Sequence, residues 1–225
     1  SSAASDVYKR QVKLLVKAIA DQQQEQDETL ILSLVGGPGY SVGESGAATG
    51  VIQDAKPVSL TVSNREPITI LDRAQASPYP SAVRVDGLTG TIVDVSVQLF
   101  GLNHRFPDDL DLLLVAPGGG KVMLMSDCGR SFDLQGVDLN FSDAAASPLP
   151  DETAITSGTY RPSDFGFVTG DILPAPAPLG PYATALSSLQ GSNPNGPWKL
   201  FAVDDLTGDG GSISGGWSLT VTTAA

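Results

Sequence analysis

Short segments in which apolar and polar residues alternate recur along most of the chain. The clearest is TIVDVSVQL at residues 91–99, where every second residue is valine or leucine and the residues between are mostly polar. Successive side chains of a β-strand point to opposite faces, so this segment predicts a strand with one buried and one solvated face. No segment shows a convincing helical period. The pattern therefore predicts an all-β protein.

Turn-forming residues bound the other apolar runs and mark further strands. Strands are predicted at 12–20, 29–34, 47–52, 58–62, 68–71, 91–99, 110–115, 121–125, 198–203 and 217–222. The runs LDLLLV and KVMLM flank the turn APGGG and predict one hairpin, and WKLFAV and WSLTVT predict a second across DDLTGDGGSISGG. The proline-rich stretch 148–181 predicts an irregular surface loop.

Charge and composition exclude several kinds of partner. The 225 residues include 25 acidic and 13 basic ones, giving a net charge of −12. Such a chain repels phosphate backbones and anionic lipid headgroups, so nucleic acid is not an expected partner. No apolar run approaches the roughly 20 residues that span a bilayer, so membrane insertion is not expected either. The single cysteine, Cys128, excludes an internal disulfide and is predicted to be a buried residue without a function.

Three ordered segments between residues 67 and 221 carry a resemblance to a known family. They read IVDVSVQLFGLNHRFPDDLDLLLVAPGG, VMLMSDCG and NGPWKLFAVDDLTGDGGSISGGWSLTV. On these segments, residues 56–225 resemble the P domain that follows the catalytic domain of subtilisin-like proprotein convertases, and its relatives in bacterial secreted proteins. The resemblance implies a jelly-roll, galactose-binding-like β-sandwich. It also implies a domain that stabilises or positions a neighbouring catalytic domain and performs no chemistry itself.

A second resemblance covers residues 12–55, which include VKAIADQQQEQDETLILSLVGGPGYSVGESGAATGVIQD. This segment is similar to the C-terminal half of a Calx-beta domain, an Ig-like module whose acidic loops bind calcium in some members. Its first strands have no counterpart, so we expect a truncated domain. Ala55 and Lys56 follow Asp54 where acidic ligands often continue in that family, and no metal ligand is predicted here. Residues 1–11, SSAASDVYKRQ, are expected to be extraneous or disordered.

One group of aspartates flanks the first predicted hairpin and predicts a metal site at one end of a sheet. Its members are Asp108, Asp109, Asp111, Asp127 and Asp143. Carboxylates brought together in this way repel one another and suit Ca²⁺, which takes six to eight oxygen ligands in flexible geometry. The alternative is that Asp109 and Asp127 cap turns while the others are solvated. The family resemblance favours calcium as the cofactor.

A second acidic group lies between the two tryptophan-containing strands. It consists of Asp204, Asp205 and Asp209, with Gly208, Gly210 and Gly211 among them. The spacing differs from that of an EF-hand loop. Glycine permits positive φ angles, so a turn-forming role is one interpretation of this group and a calcium site is the other.

No catalytic motif is recognised in the chain. A nucleophile elbow GxSxG and a subtilisin-like GTS segment are both missing, and APGGGK has neither the spacing nor the context of a phosphate-binding loop. Aspartate pairs abound, but no spacing singles one out for glycoside hydrolysis. The only histidine, His104, is predicted to be a hydrogen-bonded structural residue rather than a base. Trp198 and Trp217 are predicted to be buried.

The leading hypothesis is a non-catalytic, calcium-binding accessory or interaction module of a secreted or cell-surface multidomain protein. Its partners would be neighbouring domains of the same protein. The alternative is a folding-assisting P domain of a subtilisin-like serine endopeptidase, whose catalytic domain lies outside this chain. A carbohydrate-binding module is a third class, suggested only by the sandwich architecture. An extracellular or cell-surface location follows from the family resemblance.

Overall fold

A computed structural model describes residues 14–16, 27–39, 41–52, 56–166 and 173–224. The chain divides into two compact units, residues 1–54 and residues 55–225. The described residues contain β-strands and two short 3-10 helices, Pro107–Asp109 and Leu186–Leu189, and no α-helix. No helix among them is long and apolar enough to cross a membrane. The prediction of an all-β fold is confirmed.

The N-terminal unit contains a two-stranded antiparallel sheet. Strand β1 (Glu28–Ser33) pairs with β2 (Ala47–Ile52), both where the alternation predicts strands. Large apolar side chains of this sheet and the residues after β1 remain exposed, among them Ile31, Val35 and Val51. The strand predicted at 12–20 lies mostly outside the described residues, and residues 14–16 form no strand. The Calx-beta assignment of this unit stays a prediction.

The C-terminal unit contains twelve strands among the described residues. They are β3 (Val58–Asn64), β4 (Ile68–Ile70), β5 (Ser81–Val85), β6 (Thr91–His104), β7 (Leu110–Val115), β8 (Lys121–Ser126), β9 (Leu134–Phe141), β10 (Gly158–Tyr160), β11 (Ser163–Asp164), β12 (Gly196–Asp204), β13 (Gly211–Ile213) and β14 (Trp217–Ala224). One sheet has five strands in the order β11-β8-β7-β12-β5. The other has seven and is organised around the long strand β6, which pairs with β9 on one side and with β14 and β13 on the other.

The two sheets pack face to face and enclose the main core, so the β-sandwich prediction is confirmed. In β6, Val95, Val97 and Leu99 are buried, as the alternation predicts. Ile92 is buried in place of Val93, because Thr222 and Thr223 of β14 pair with Asp94 and Ile92 and leave Val93 as the extra residue of a bulge in β6. Strands with one solvated face alternate in this way, so the pattern locates them well.

The hairpin predicted from LDLLLV and KVMLM is confirmed, with β7 and β8 antiparallel and Val115 opposite Lys121. The hairpin predicted from WKLFAV and WSLTVT is wrong. Strand β12 belongs to the five-stranded sheet and β14 to the seven-stranded sheet, and β13 lies between them in the chain. The connection therefore crosses from one sheet to the other. Alternation shows which residues of a strand are buried but not which sheet the strand joins.

The prediction of an irregular loop over 148–181 is correct only in part. Strand β10 pairs in parallel with β9, and β11 pairs in parallel with β8. Further on, residues 173–182 form a strap over the outer face of the five-stranded sheet. A second apolar cluster lies beneath the strap, comprising Leu113, Met123, Leu173, Ala177, Phe201 and Val203. Both faces of the five-stranded sheet are therefore covered.

Side-chain donors attach the strap. The hydroxyl of Tyr79 donates to the carbonyl of Pro174 at 2.8 Å, and Gln75 Nε2 donates to the carbonyl of Ala175 at 2.9 Å. Lys121 Nζ donates to the carbonyl of Leu179 at 2.6 Å. Burial raises the pKa of Tyr79 to about 12, with smaller contributions from Tyr182 and Asp111, so its hydroxyl remains a donor at neutral pH.

Candidate functional site

Six aspartates are grouped at one end of the sandwich, where β7 begins and β12 ends. We call this group the acidic end; its members are Asp72, Asp108, Asp109, Asp204, Asp205 and Asp209. Antiparallel pairing of β7 with β12 places Leu110 opposite Asp204. The backbone N–H of Asp205 donates to the carbonyl of Asp109 at 3.0 Å, and that of Gly208 donates to Asp72 Oδ1 at 2.9 Å. These bonds fix the loop after β12 against the 3-10 helix Pro107–Asp109 and the turn after β4.

Asp204 and His104 form a buried pair at the base of the acidic end. His104 Nε2 lies 3.1 Å from Asp204 Oδ2, and both side chains are inaccessible to solvent. Asp204 Oδ1 also accepts hydrogen bonds from the backbone N–H groups of Arg73 at 3.3 Å and Leu206 at 3.2 Å. Burial raises the pKa of Asp204, while His104 and these N–H groups oppose the rise. The prediction that His104 is hydrogen-bonded is confirmed, and both carboxylate oxygens of Asp204 have partners within the protein.

Asp109 differs from Asp204 because its carboxylate has no such partners. The residue is only 7% exposed. Its side chain accepts no hydrogen bond and forms no ion pair within the described part of the chain. Burial raises its pKa to about 6, helped by the charges of the neighbouring aspartates, Asp204, Asp205, Asp209 and Asp108. Burial and the surrounding negative charges disfavour the ionised form of Asp109, so a cation beside its carboxylate would lower this pKa.

The raised pKa of Asp109 predicts how stability changes with pH in metal-free buffer. Its pKa is about 6 in the folded chain and 3.8 ordinarily, so the folded state takes up the proton first as the pH falls. The free energy of unfolding should therefore rise between pH 7 and pH 5, by on the order of 1 kcal/mol from this group. Asp109→Asn should remove this increment and stabilise the protein at pH 7 by a similar amount.

Urea unfolding at pH 7 and pH 5, for wild type and Asp109→Asn, measures this difference directly. Asp86→Asn is the control, because Asp86 is an exposed carboxylate whose ion pair is with the equally exposed Arg84. The control should follow the wild-type pH dependence. If Asp109→Asn and wild type respond identically to pH, the Asp109 carboxylate is not destabilised in the folded protein.

Three members of the first predicted group, Asp111, Asp127 and Asp143, do not join Asp109. Asp143 accepts hydrogen bonds from the backbone N–H groups of Leu186 at 3.0 Å and Ser187 at 2.7 Å, and so caps the 3-10 helix Leu186–Leu189. Asp127 accepts a hydrogen bond from the hydroxyl of Ser126 at 3.0 Å. Its φ of 50° is left-handed, a conformation that aspartate tolerates better than most residues.

Asp111 lies in β7 and is buried. It alternates with Leu112, which belongs to the main core, so its side chain is on the strap side of the sheet. The structure thus recombines the two predicted groups: Asp108 and Asp109 join Asp204, Asp205 and Asp209. Sequence reasoning missed Asp72, because nothing in ITILD marks it as a neighbour of the loop after β12.

The arrangement of these carboxylates does not amount to a formed metal centre. Among the residues that the structure describes, no three His, Cys, Asp or Glu side chains are grouped closely enough to hold a metal ion. Asp205 is exposed and Asp209 is half-exposed, so rotation of these side chains could bring oxygens towards Asp109. Ca²⁺ also accepts backbone carbonyls and water as ligands, which reduces the number of carboxylates required.

Cys128 is buried, as predicted, and its pKa is raised, chiefly by burial. Its thiol donates to the carbonyl of Ser126 at 3.1 Å. A thiol that is protonated and enclosed is a poor nucleophile. His104 Nδ1 lies 3.0 Å from the carbonyl oxygen of Phe106, so both ring nitrogens of His104 have partners within the protein.

Comparison with known proteins gave few matches. No protein-family model matches the chain, and no curated protein matches it. Among solved structures, the serine protease of Aeromonas sobria is similar with a TM-score of 0.38 and 15% identity, over 76% of this chain and 28% of that chain. The complex of an Aeromonas sobria serine protease with its chaperone gives a TM-score of 0.36 and 13% identity, over 90% of this chain and 28% of that one. This chain thus spans just over a quarter of each, and similarity this weak carries no functional conclusion.

Proposed function

We propose that this chain is a non-catalytic accessory module of a secreted or cell-surface multidomain protein, and that calcium binds at its acidic end. The observation that carries the calcium assignment is Asp109, a residue that is only 7% exposed and whose pKa is raised to about 6 by burial and by the charges of neighbouring aspartates. A divalent cation there would neutralise this repulsion. Asp109, Asp205 and Asp209 are the proposed side-chain ligands, and Asp108 is a further one.

Calcium would hold three segments of the sandwich together. The proposed ligands come from the 3-10 helix before β7 and from the loop between β12 and β13. That loop also contacts the turn after β4 through Asp72. Because these segments are distant in sequence, a shared ion would restrict all of them at once. The two predicted ligands Asp127 and Asp143 have other partners, so we do not include them in this site.

A calcium titration of thermal stability tests the proposal. Calcium at 100 times its dissociation constant is expected to add about 2.7 kcal/mol to the free energy of unfolding. Asp109→Asn, and the double change Asp205→Asn with Asp209→Asn, should abolish this gain. Asp143→Asn should keep the gain, although loss of its two N–H partners lowers the starting stability. Calorimetric titration of calcium into the same proteins measures binding separately from unfolding.

Two results would overturn the calcium assignment. One is an unchanged melting temperature and no heat of binding when calcium replaces a chelator. The other is a calcium response that survives Asp109→Asn and the double variant but disappears in Asp143→Asn or Asp127→Asn. Magnesium at the same concentration serves as the ion control, because it requires a near-octahedral site and gives up its bound water reluctantly.

The second candidate function is a folding-assisting domain of a subtilisin-like serine endopeptidase. It is favoured by where the three segments of the P-domain resemblance fall, namely on β6 with β7, on β8, and on β12 to β14 of a single sandwich. The sequence that encodes the parent protein decides between the candidates. A domain with a catalytic Asp, His and Ser upstream of this module supports the protease, and further β-modules there support a surface protein.

A further inference from the structure

Strand β3 forms one edge of the seven-stranded sheet. It pairs with β14 over seven residues without a shift of register, and no other strand among the described residues pairs with it. Its sequence, VSLTVSN, contains no charged residue and no proline. Charged residues, prolines and bulges are common means of keeping an edge strand from pairing with another chain. The free edge of β3 has none of them.

The other edges of the sandwich are shorter or protected. Strands β4 and β10 have three residues each, and β11 has two. The backbone of Thr69 in β4 also exchanges two hydrogen bonds with Ser77, at 2.9 and 2.8 Å. Strand β5 carries the exposed Arg84, and Asn64 Nδ2 donates to the carbonyl of its Ala82 at 3.2 Å. Within the described part of the sandwich, β3 is therefore the longest edge open to a further strand.

The inner face of β3 is incompletely covered. Val58 is 53% exposed, and Leu60 and Val62 pack against the main core but are only half-buried. The outer face carries Ser59 and Thr61, whose hydroxyls each bond to a threonine of β14 at 2.8 Å. A further strand beside β3 would therefore cover apolar surface on the inner face and meet small hydroxyl groups on the outer face.

The sequence of β3 is complementary to itself in an antiparallel pair. When Thr61 of one copy lies opposite Thr61 of a second copy, the residues on either side also match. Leu60 then lies opposite Val62 on the inner face, and Ser59 lies opposite Ser63 on the outer face. Pairs of apolar residues and pairs of hydroxyl residues both stabilise neighbouring antiparallel strands.

The charges that flank β3 favour the same register. Lys56 precedes Thr61 by five residues and Glu66 follows it by five, and both side chains are exposed. Antiparallel pairing about Thr61 thus brings a lysine of one copy beside a glutamate of the other, at both ends of the pair. The net charge of −12 opposes self-association in general, but this contact places no like charges directly opposite each other.

We propose that two copies of this chain associate through the free edge of β3, in antiparallel register about a two-fold axis at Thr61. The seven-stranded sheets of the two copies become continuous across this axis. The contact uses the same surface of both copies, as closed dimers commonly do. A single pair of strands is a small interface, so the dimer is weak and forms with rising concentration. It does not depend on the proposed calcium site.

Sedimentation equilibrium of the full chain in chelator, from about 1 µM to about 1 mM, tests the proposal. The wild type should change from monomer to dimer across this range. Thr61→Lys places two lysines opposite each other at the axis and should weaken the dimer at least about tenfold. Thr69→Lys is the matched control, because it makes the same change at an exposed position of β4. It should leave the association within about twofold of wild type.

Charge reversal tests the register. Lys56→Glu and Glu66→Lys should each weaken the dimer at least about threefold, because each brings like charges together at both ends of the pair. Net charge alone would make these two variants change in opposite directions, since one adds negative charge and the other removes it. The variant with both changes restores opposite charges and should return to within about twofold of wild type. Circular dichroism verifies that each variant is folded.

A chain that stays monomeric at the highest concentration would overturn the proposal. Equal effects of Thr61→Lys and Thr69→Lys would do the same, as would a doubly reversed variant that associates no better than the single ones. The exposed apolar sheet of the N-terminal unit is the competing surface. A dimer that is weakened by Val51→Ser and not by Thr61→Lys would assign the contact to that sheet and remove it from β3.

Discussion

Replacing Asp204 by alanine is expected to lower the free energy of unfolding by about 3–5 kcal/mol, because it leaves several hydrogen-bond donors without an acceptor at about 1–3 kcal/mol each. The change leaves His104 Nε2 without its acceptor, and it also deprives the N–H groups of Arg73 and Leu206 of theirs. Urea unfolding in chelator measures the loss. The result would be free of any contribution from bound calcium.

Asp205→Ala is the matched control for this experiment. Asp205 is the next residue in the chain and is exposed, and its structural bond to Asp109 is made by the backbone N–H, which alanine retains. We expect it to lose less than about 1 kcal/mol. Equal losses for the two variants would mean that the buried pair does not stabilise the sandwich. In that case the engagement of Asp204 would no longer argue against a metal-binding role for it.

Trp217→Ala is expected to be comparably damaging, with a loss of about 3–5 kcal/mol. Trp217 is fully buried, and it joins the two sheets because its Nε1 donates to Ser81 Oγ across the sandwich at 2.9 Å. Asn64 Nδ2 reaches the same hydroxyl at 3.2 Å. Alanine would therefore leave a large cavity as well as one lost bond between the sheets.

Trp217→Phe separates these two effects, since it keeps most of the ring volume and removes the N–H donor. Its expected loss is about 1–2 kcal/mol, because Asn64 still satisfies Ser81. Fluorescence of Trp198 reports unfolding in both variants, and Trp198 lies in the sandwich as Trp217 does. A loss for the phenylalanine variant as large as for alanine would show that the bond to Ser81, not the volume, is what matters.

The sequence predicts strands well where alternation is regular and poorly where it is interrupted. Strand β2 occupies the predicted 47–52, but β9 was not predicted. Gly136 in β9 has a φ of 64° and breaks the alternation, and the pairing of β9 with β6 shifts register nearby. Strand β5 was missed for a different reason: it is short, and the segment SPYP before it contains two prolines and predicts a turn.

The candidate site was only partly predictable because its members meet through tertiary pairing. Asp109 and Asp204 were placed in different predicted groups, since they are far apart in the chain. Pairing of β7 with β12 brings their ends together. The prediction that β12 pairs with β14 concealed this contact. By contrast, the burial of Trp198, Trp217 and Cys128 followed from local apolar context and was predicted correctly.

The strap over the five-stranded sheet has a consequence for how related chains would diverge. Its exposed residues are attached through backbone carbonyls, which accept hydrogen bonds whatever side chain they carry. Substitution at these exposed positions would therefore cost little during evolution. The donors Gln75, Tyr79 and Lys121 lie outside the strap and would be retained with the buried Leu173 and Ala177. The strap would then vary in sequence while keeping its path across the sheet.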